Sequence, residues 1–134
     1  MMGLDFALYP PVVLVFPSQK RQNQAFGGNA LLKARAAATA AKLPALADDS
    51  GLVVAALDGA PGIYSARWAA PDCDFDKAMQ RVFDELTQTN ADDMSAYFVC
   101  SLALVWPDGD EVCVEGRASG QITWPPRGKF WIWL

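Results

Sequence analysis

The segment SAYFVCSLALVW, residues 95–106, constrains the fold more than any other part of the 134-residue chain. It is apolar at nearly every position, so a strand formed by it would bury both of its faces. It is followed by PDGD and then by EVCVEGRASGQITW. An Asp-Gly pair between two strand-like segments is typical of a β-hairpin turn. The sequence therefore predicts a hairpin whose first strand lies centrally in a sheet.

Two segments have the composition of helices that would pack against such a sheet. GGNALLKARAAATAAKLP, residues 27–44, is rich in alanine, with Asn29 as the predicted N-cap and Pro44 as the stop. Its small side chains would permit a close approach to the sheet. Between Phe75 and Leu86 the apolar residues recur at helical spacing, which predicts an amphipathic helix.

The stretch LADDSGLVVAAL contains two adjacent carboxylates, Asp48 and Asp49. Strand-like residues flank them at 45–47 and 52–57, so the pair is predicted to lie in a turn between two strands. A further buried strand is predicted over residues 12–16. Together these elements predict a single α/β domain over residues 1–134, with a mixed β-sheet flanked by helices.

Charge and composition exclude several classes of function. The chain has 11 Lys and Arg against 15 Asp and Glu, without a basic stripe, so duplex nucleic acid is not a predicted partner. It contains no histidine, which excludes Ser-His-Asp and Cys-His catalysis within the chain. Three cysteines without a C-x-x-C pair suit a reducing compartment, and the cytoplasm is the predicted location.

A membrane span is not predicted either. The apolar opening segment is interrupted by prolines, and it is shorter than the roughly 20 apolar residues that a transmembrane helix needs.

The acidic pair has the chemistry of a magnesium site. Carboxylate oxygens are hard ligands, and the Ser-Gly that follows Asp49 permits a tight turn. Mg²⁺ usually takes one or two carboxylates and completes its shell with water and substrate phosphates, and Lys33 would add a positive charge. On residue types alone the alternative stays open, because adjacent acids in a polar turn are more often simply hydrated.

Three strings, taken together, make a more specific pattern. They are NALLKA at residues 29–34, ADDSGL at 47–52 and GAPGIYSAR at 59–67, and they closely resemble the inosine triphosphate pyrophosphatase family in order and separation. The later segment YFVCSLALVWPDGDEVCVEGRASGQIT is similar to the central strand pair of that family. The resemblance covers roughly residues 26–128 and implies the α/β fold of that family in incomplete form.

The resemblance implies Mg²⁺-dependent hydrolysis of purine nucleoside triphosphates such as ITP, dITP and XTP to the monophosphate and pyrophosphate. Asp49 matches the aspartate that binds the metal and orients the attacking water, and Lys33 matches the lysine that neutralises phosphate charge. Further contacts are implied for Asp48 at the metal and for Asn29, Ser50 and Arg67 at the substrate. Without the matched strings, Lys33 and Arg67 would be interpreted as hydrated surface charges.

The two ends of the chain depart from the family pattern. Residues 1–25 lack the Thr-Gly-Asn-x-x-Lys turn and the metal-binding glutamate, Gly28 replaces the acid that usually precedes Asn29, and residues 129–134 do not continue into the base-contacting segment. A one-base shift of the codons for residues 130–133 would permit Phe-Gly-Tyr-Gly. We therefore expect a truncated or frame-shifted sequence, an expectation that resequencing of the source DNA tests.

Two hypotheses of different class follow. The chain is a pyrophosphatase that works with the retained part of the site, or it is an inactive remnant that binds a nucleotide or metal weakly at most. A nucleotide pyrophosphatase of the septum-formation type fits the strings less well. The resemblance implies a dimer for intact relatives and leaves open the assembly of this chain, its base preference, and whether Asp58 or Glu115 replaces the missing acid.

Overall fold

The computed structural model describes residues 25–127. Besides two short 3-10 turns at residues 55–57 and 62–64, six helices and strands follow one another: α1 (Phe26–Ala41), β1 (Ala45–Val54), α2 (Ser65–Trp68), α3 (Phe75–Gln88), β2 (Ser95–Val105) and β3 (Glu111–Gln121). The predicted strand at residues 12–16 and the apolar end at residues 130–133 lie outside the described part. Among the described residues, no helix is long and apolar enough to cross a membrane.

The three strands form one sheet in the order β1-β2-β3, and both pairs are antiparallel. The predicted hairpin and the central position of its first strand are both confirmed. In the hairpin turn, the Trp106 N–H donates to the Asp110 carbonyl at 2.9 Å, and Gly109 has a φ of +101°. The α/β class is confirmed, and the parallel pairing that would make the sheet mixed is not found among residues 25–127.

Helix α1 covers one face of the sheet with alanines. Ala30, Ala34 and Ala38 recur every four residues and pack in a buried cluster with Ala103 and Val105 of β2. Because each alanine projects only a methyl group, the helix backbone comes close to the strands beneath it. The predicted packing of an alanine-rich helix on a sheet therefore agrees with the structure.

The prediction that Asn29 caps this helix is wrong. The N-cap is Ala25, and the Asn29 N–H donates to the Ala25 carbonyl at 3.1 Å, so Asn29 already lies inside the first helical hydrogen bond. At the other end Lys42 takes a left-handed conformation and its N–H donates to the Ala38 carbonyl, two residues before Pro44. The side chain of Asn29 is therefore available for a contact with the sheet.

The predicted break at the acidic pair is also wrong. Strand β1 runs without interruption through Asp48 and Asp49, which pair with Leu102 and Ser101 of β2. Successive side chains of a strand point to opposite faces, so Asp49 faces α1 and Asp48 faces the other side. The strand ends at Val54, and residues 55–57 form a 3-10 turn instead of continuing the strand as predicted.

Helix α3 covers part of the opposite face, which confirms the predicted amphipathic helix. Its Val82 and Leu86 pack with Val54 of β1 and Ala96 of β2. The helix begins after Asp74, whose carboxylate accepts a hydrogen bond from the Lys77 N–H at 3.2 Å. The sheet is therefore packed on both faces, by α1 on one and by α3 on the other.

Gly51 lets the segment that follows β1 fold back against the strand. A Cβ atom at this position would lie 2.8 Å from Ser65 Oγ and 2.9 Å from the Phe26 ring, and would overlap the Gly62 carbonyl. Ser65 Oγ donates to that carbonyl at 2.7 Å and accepts from the Leu52 N–H at 3.0 Å. The absence of a side chain at Gly51 therefore permits the close packing of α1, β1 and the GAPGIYSAR segment.

A bidentate ion pair joins α1 to the edge of the sheet. Arg35 Nε lies 2.8 Å from Glu111 Oε2, and Arg35 Nη2 lies 2.6 Å from Glu111 Oε1. The hydrogen bonds from the guanidinium lower the pKa of the Glu111 carboxyl below its usual range. Helix α1 is thus held to β3 at the end of the sheet where the hairpin turn lies.

We expect Gly51→Ala to lower the free energy of unfolding by about 1–3 kcal/mol, because the added methyl group overpacks a closed contact. Gly116→Ala is the matched control, since a Cβ on Gly116 meets nothing within 4 Å. Urea denaturation monitored by circular dichroism measures both. Equal stability of the two variants would contradict the packing described for Gly51.

The Arg35–Glu111 pair should also make the stability of the fold depend on pH in the acid range. Because the folded pKa of Glu111 is lowered, its stabilisation is present above the unfolded value of 4.5 and is lost as the pH falls through the folded pKa. We expect the melting temperature of Arg35→Gln to lie below that of the unmodified chain near neutral pH and to approach it under acid. Thermal melts over a pH series test this, with Arg127→Gln as control, and a constant difference at every pH would count against the pair.

Candidate functional site

A buried carboxylate lies at the contact between α1 and β1. The Asp49 side chain is 2% exposed, and both of its oxygens are occupied. Asn29 Nδ2 donates to Oδ2 at 3.1 Å, and Lys33 Nζ donates to Oδ1 at 3.1 Å. Lys33 Nζ also donates to the main-chain carbonyl of Asp48. The structure thus brings together three predicted site residues: Asn29, Lys33 and Asp49.

The sequence spacing explains this meeting. Asn29 and Lys33 are four residues apart in a helix, so they lie one turn apart on the same face. Lys33 is 44% exposed and stands at the mouth of the contact, whereas Asn29 is buried next to Asp49. A buried carboxylate is stable only when it is paired and hydrogen-bonded, and these two side chains provide both.

Asn29 leaves one polar atom without a partner. Within the described residues, Oδ1 of Asn29 is buried and has no hydrogen-bond partner. Reversing the amide would place this oxygen against the Asp49 carboxylate, which is repulsive, so the orientation found is the favourable one. A buried unsatisfied acceptor costs about 1–3 kcal/mol. The site therefore favours a ligand that supplies a donor or a positive charge beside Asp49.

These oxygens suit a hard divalent cation. The Asp49 carboxylate, the orphaned Asn29 oxygen and the Asp48 carbonyl are all hard ligands of the kind that Mg²⁺ takes in proteins. Between residues 25 and 127 there is no cluster of three or more acidic, histidine or cysteine side chains. The residues fit a cation that keeps several positions for water and phosphate.

Asp48 and Ser50 lie on the other face of β1, away from α1. Ser50 Oγ donates to Asp48 Oδ2 at 3.2 Å, and the Asp48 side chain is exposed. The structure therefore does not place the two adjacent carboxylates on one side of the strand. The contribution of the Asp48 side chain to a metal shell stays a prediction, as does the contact of Ser50 with substrate.

Arg67 lies in the short helix α2. Its guanidinium is positioned over the Tyr64 ring, 5.0 Å from the ring centre, and the side chain is exposed. In the part of the chain that the structure describes, none of its recorded contacts is with Asp49 or Lys33. Its predicted contact with phosphate stays a prediction.

A cavity of about 740 Å³ lies between the sheet and α3. Such a volume is within the range of small-molecule sites, roughly 300–1,000 Å³. The lining is mainly apolar and includes three aromatic residues, with Ser50 at the β1 side; its principal residues are Ser50, Ser65, Phe75, Val82, Phe98 and Trp124. Sequence reasoning missed this cavity, because it is formed by residues distant in the chain.

Sequence reasoning left Glu115 as an open candidate for the missing acid, and it missed the row of polar side chains that leads to Glu115 across the sheet. Ser101 of β2 pairs with Asp49 on one side and with Glu115 of β3 on the other. Ser101 is fully buried, and its Oγ donates to Glu115 Oε2 at 3.0 Å. Arg117 donates to Glu115 Oε1 at 3.0 Å. The hydrogen bond from Arg117 is the largest cause that lowers the pKa of the Glu115 carboxyl, and the hydrogen bond from Ser101 is the next. Together they keep this carboxyl ionised.

Comparisons with known proteins agree on one family. The model of the Ham1 family matches residues 9–130. A dITP/XTP pyrophosphatase of Rhodospirillum centenum is 61% identical over 117 residues, which are 86% of this chain and 57% of that protein. A dITP/XTP pyrophosphatase of Caulobacter vibrioides is 55% identical over 115 residues, 86% of this chain and 59% of that protein.

Solved structures give the same result for the fold. A HAM1 protein from Coxiella burnetii superposes with a TM-score of 0.78 at 39% identity, over 85% of this chain and 59% of that chain. The Staphylococcus aureus Ham1 protein gives a TM-score of 0.77 at 36% identity, over 84% of this chain and 58% of that chain. The chain thus spans less than two thirds of the length of the relatives that it matches.

We expect Lys33→Met to destabilise the protein by about 1–3 kcal/mol, because it leaves one oxygen of the buried Asp49 carboxylate without a donor. Lys77→Met is the matched control, since Lys77 forms ion pairs on the exposed surface of α3 and such pairs contribute little. Chemical denaturation of both variants provides the comparison. A loss no larger for Lys33→Met than for the control would contradict the structural role of the Lys33–Asp49 pair.

Proposed function

The chain belongs to the Ham1 family, and from this premise we propose that it hydrolyses non-standard purine nucleoside triphosphates such as dITP, XTP and ITP to the monophosphate and pyrophosphate. The family inferred from the sequence is thereby confirmed, whereas the activity of this chain is a proposal. Two similar proteins named dITP/XTP pyrophosphatase support the substrate class.

The buried carboxylate of Asp49 between Asn29 and Lys33 is the observation that carries the proposal. Asn29 holds Oδ2 of Asp49 in place, which fixes the orientation of the carboxylate. Lys33 is half exposed, so its ammonium group can leave Oδ1 and bind a phosphate of an incoming triphosphate. Oδ1 is then free to accept a hydrogen bond, and finally a proton, from the water that attacks the α-phosphorus.

We propose Mg²⁺ as the cofactor of this site. The chemistry that the bound ion supplies is neutralisation of charge on the phosphates and on the pyrophosphate leaving group. Asp49 and Oδ1 of Asn29 would hold it, because the Asn29 amide contacts the Asp49 carboxylate and its oxygen has no partner within the described residues. With so few protein oxygens at the site, the cation would take most of its remaining ligands from water and substrate.

The nucleoside has a candidate place in the cavity on the other side of β1. Its aromatic lining suits the flat face of a purine, and Ser50 stands at its β1 side. Because β1 is an edge strand of the described sheet, a nucleotide with its phosphates at Asp49 would have to pass around that edge to reach the cavity. Further predictions belong to this proposal: the contacts of Ser50 and Arg67 with substrate, the supporting role of Asp48 at the metal, a homodimer and a cytoplasmic location.

The closed contact around Asp49 favours a second candidate function. Both oxygens of this buried carboxylate are held by side chains of α1, Asn29 and Lys33. The second candidate is a protein of the same fold that binds a cation or nucleotide weakly and does not turn it over. Turnover by the purified chain distinguishes the two candidates.

Pyrophosphate release from dITP, XTP, ITP and GTP, with and without Mg²⁺, tests the proposal. We expect Mg²⁺-dependent release that prefers the non-standard purines and that falls by about 100-fold or more in Asp49→Asn, which removes the proton acceptor. Asp84→Asn, the same chemical change on the exposed face of α3, should leave the rate unchanged. A folded chain that binds ITP without releasing pyrophosphate would favour the second candidate.

A further inference from the structure

We propose that Glu115 is the second carboxylate of the cation site, placed across the sheet from Asp49 and held there by Ser101. The inference extends the cation site of the proposed function to a residue on the third strand. It concerns binding of the ion by the protein alone, so it does not depend on turnover.

The strand register places Glu115 on the correct face. Asp49, Ser101 and Glu115 are consecutive cross-strand partners, and residues directly opposite each other in a sheet project to the same side. Neighbouring strands are about 4.8 Å apart, so the backbones of Asp49 and Glu115 are separated by about 10 Å. Two carboxylates at this spacing reach one ion when the longer side chain leans inwards.

The hydrogen bond from Ser101 gives Glu115 that inward direction. Oε2 of Glu115 lies 3.0 Å from Oγ of Ser101, so the carboxylate lies over β2 instead of extending away from the sheet edge. Arg117 holds the other oxygen, Oε1, at 3.0 Å. Each carboxylate oxygen has two lone-pair positions, so Oε2 can accept from Ser101 and still bind a cation or one of its waters.

The orphaned oxygen of Asn29 is a second observation that fits a cation beside Asp49. Oδ1 belongs to the amide that contacts Asp49, it is buried, and it has no donor in the described part of the chain. Lys33 and Arg117 pair with the two carboxylates before the ion enters, so the ion takes the place of these cations at the carboxylate oxygens. An ion beside Asp49 would satisfy Oδ1 and draw Glu115 towards it, directly or through one water.

Glu111 shows what distinguishes Glu115 from another acid on the same strand. It lies on the same face of β3, but its cross-strand neighbours are Val105 and then Ala45, which offer no polar side chain. Its two oxygens are both held by Arg35. Glu111 therefore matches Glu115 in strand, face and ion pairing, and differs in its distance from Asp49 along the sheet.

Binding of Mn²⁺ alone tests the inference. Mn²⁺ accepts the same oxygen ligands as Mg²⁺, and its free concentration can be followed by electron paramagnetic resonance. We expect Glu115→Gln to weaken Mn²⁺ binding by about 10-fold or more, in the range found when groups around a metal ligand are removed, and Glu111→Gln to leave it unchanged within about twofold. Thermal melts verify that both variants are folded.

Two results would overturn the inference: equal affinities of the Glu115→Gln and Glu111→Gln variants, or no binding of Mn²⁺ by the unmodified chain. Should Glu115→Gln fail to fold, Ser101→Ala provides the second variant, because it frees the carboxylate from its position without removing it and is expected to weaken Mn²⁺ binding severalfold. Glu115-dependent binding without any pyrophosphate release would retain the inference and contradict the proposed activity.

Discussion

The buried carboxylate of Asp49 is the constraint on which the arrangement of α1 and the sheet depends. A negative charge that is 2% exposed must be compensated, and both compensating side chains come from one face of α1. The helix therefore has to lie with Asn29 and Lys33 directly over β1. The alanines that follow, packed on β2, allow this approach and continue the same contact along the sheet.

The sheet beneath this contact separates two chemical environments. On the α1 side the sheet carries oxygens and charges in a row, from Asp49 through Ser101 to Glu115. On the α3 side it carries apolar and aromatic groups around a cavity, with Ser50 at its β1 side. Strand β1 contributes to both environments, because its side chains alternate between the two faces: Asp49 faces α1, and Ser50 faces the cavity.

Local patterns predicted the elements that depend on neighbours in sequence. The amphipathic helix α3 and the hairpin of β2 and β3 follow from periodicity and from the Asp-Gly turn. The prediction of a turn at the acidic pair rests on the strand-like segments that flank it, and it is wrong because Asn29 and Lys33 stabilise Asp49 inside one continuous strand. The prediction of Asn29 as the N-cap is wrong for a related reason, because the partner of its side chain, Asp49, is 20 residues away in the chain. The hairpin register would have aligned Ser101 with Glu115, but the pairing of β1 with β2 has no local signal.

Nuclear magnetic resonance of the chain with Mg²⁺ and a non-hydrolysable analogue of ITP tests most directly whether the α1–β1 contact is the site. We expect the side-chain amide of Asn29 and the backbone amides of Lys33 and Asp49 to shift in proportion to occupancy. The side-chain amide of Asn90, which lies beyond the end of α3, should stay unchanged and serves as the internal reference. Saturable binding of the analogue with shifts confined to the α3 side, and none at Asn29, would contradict the account.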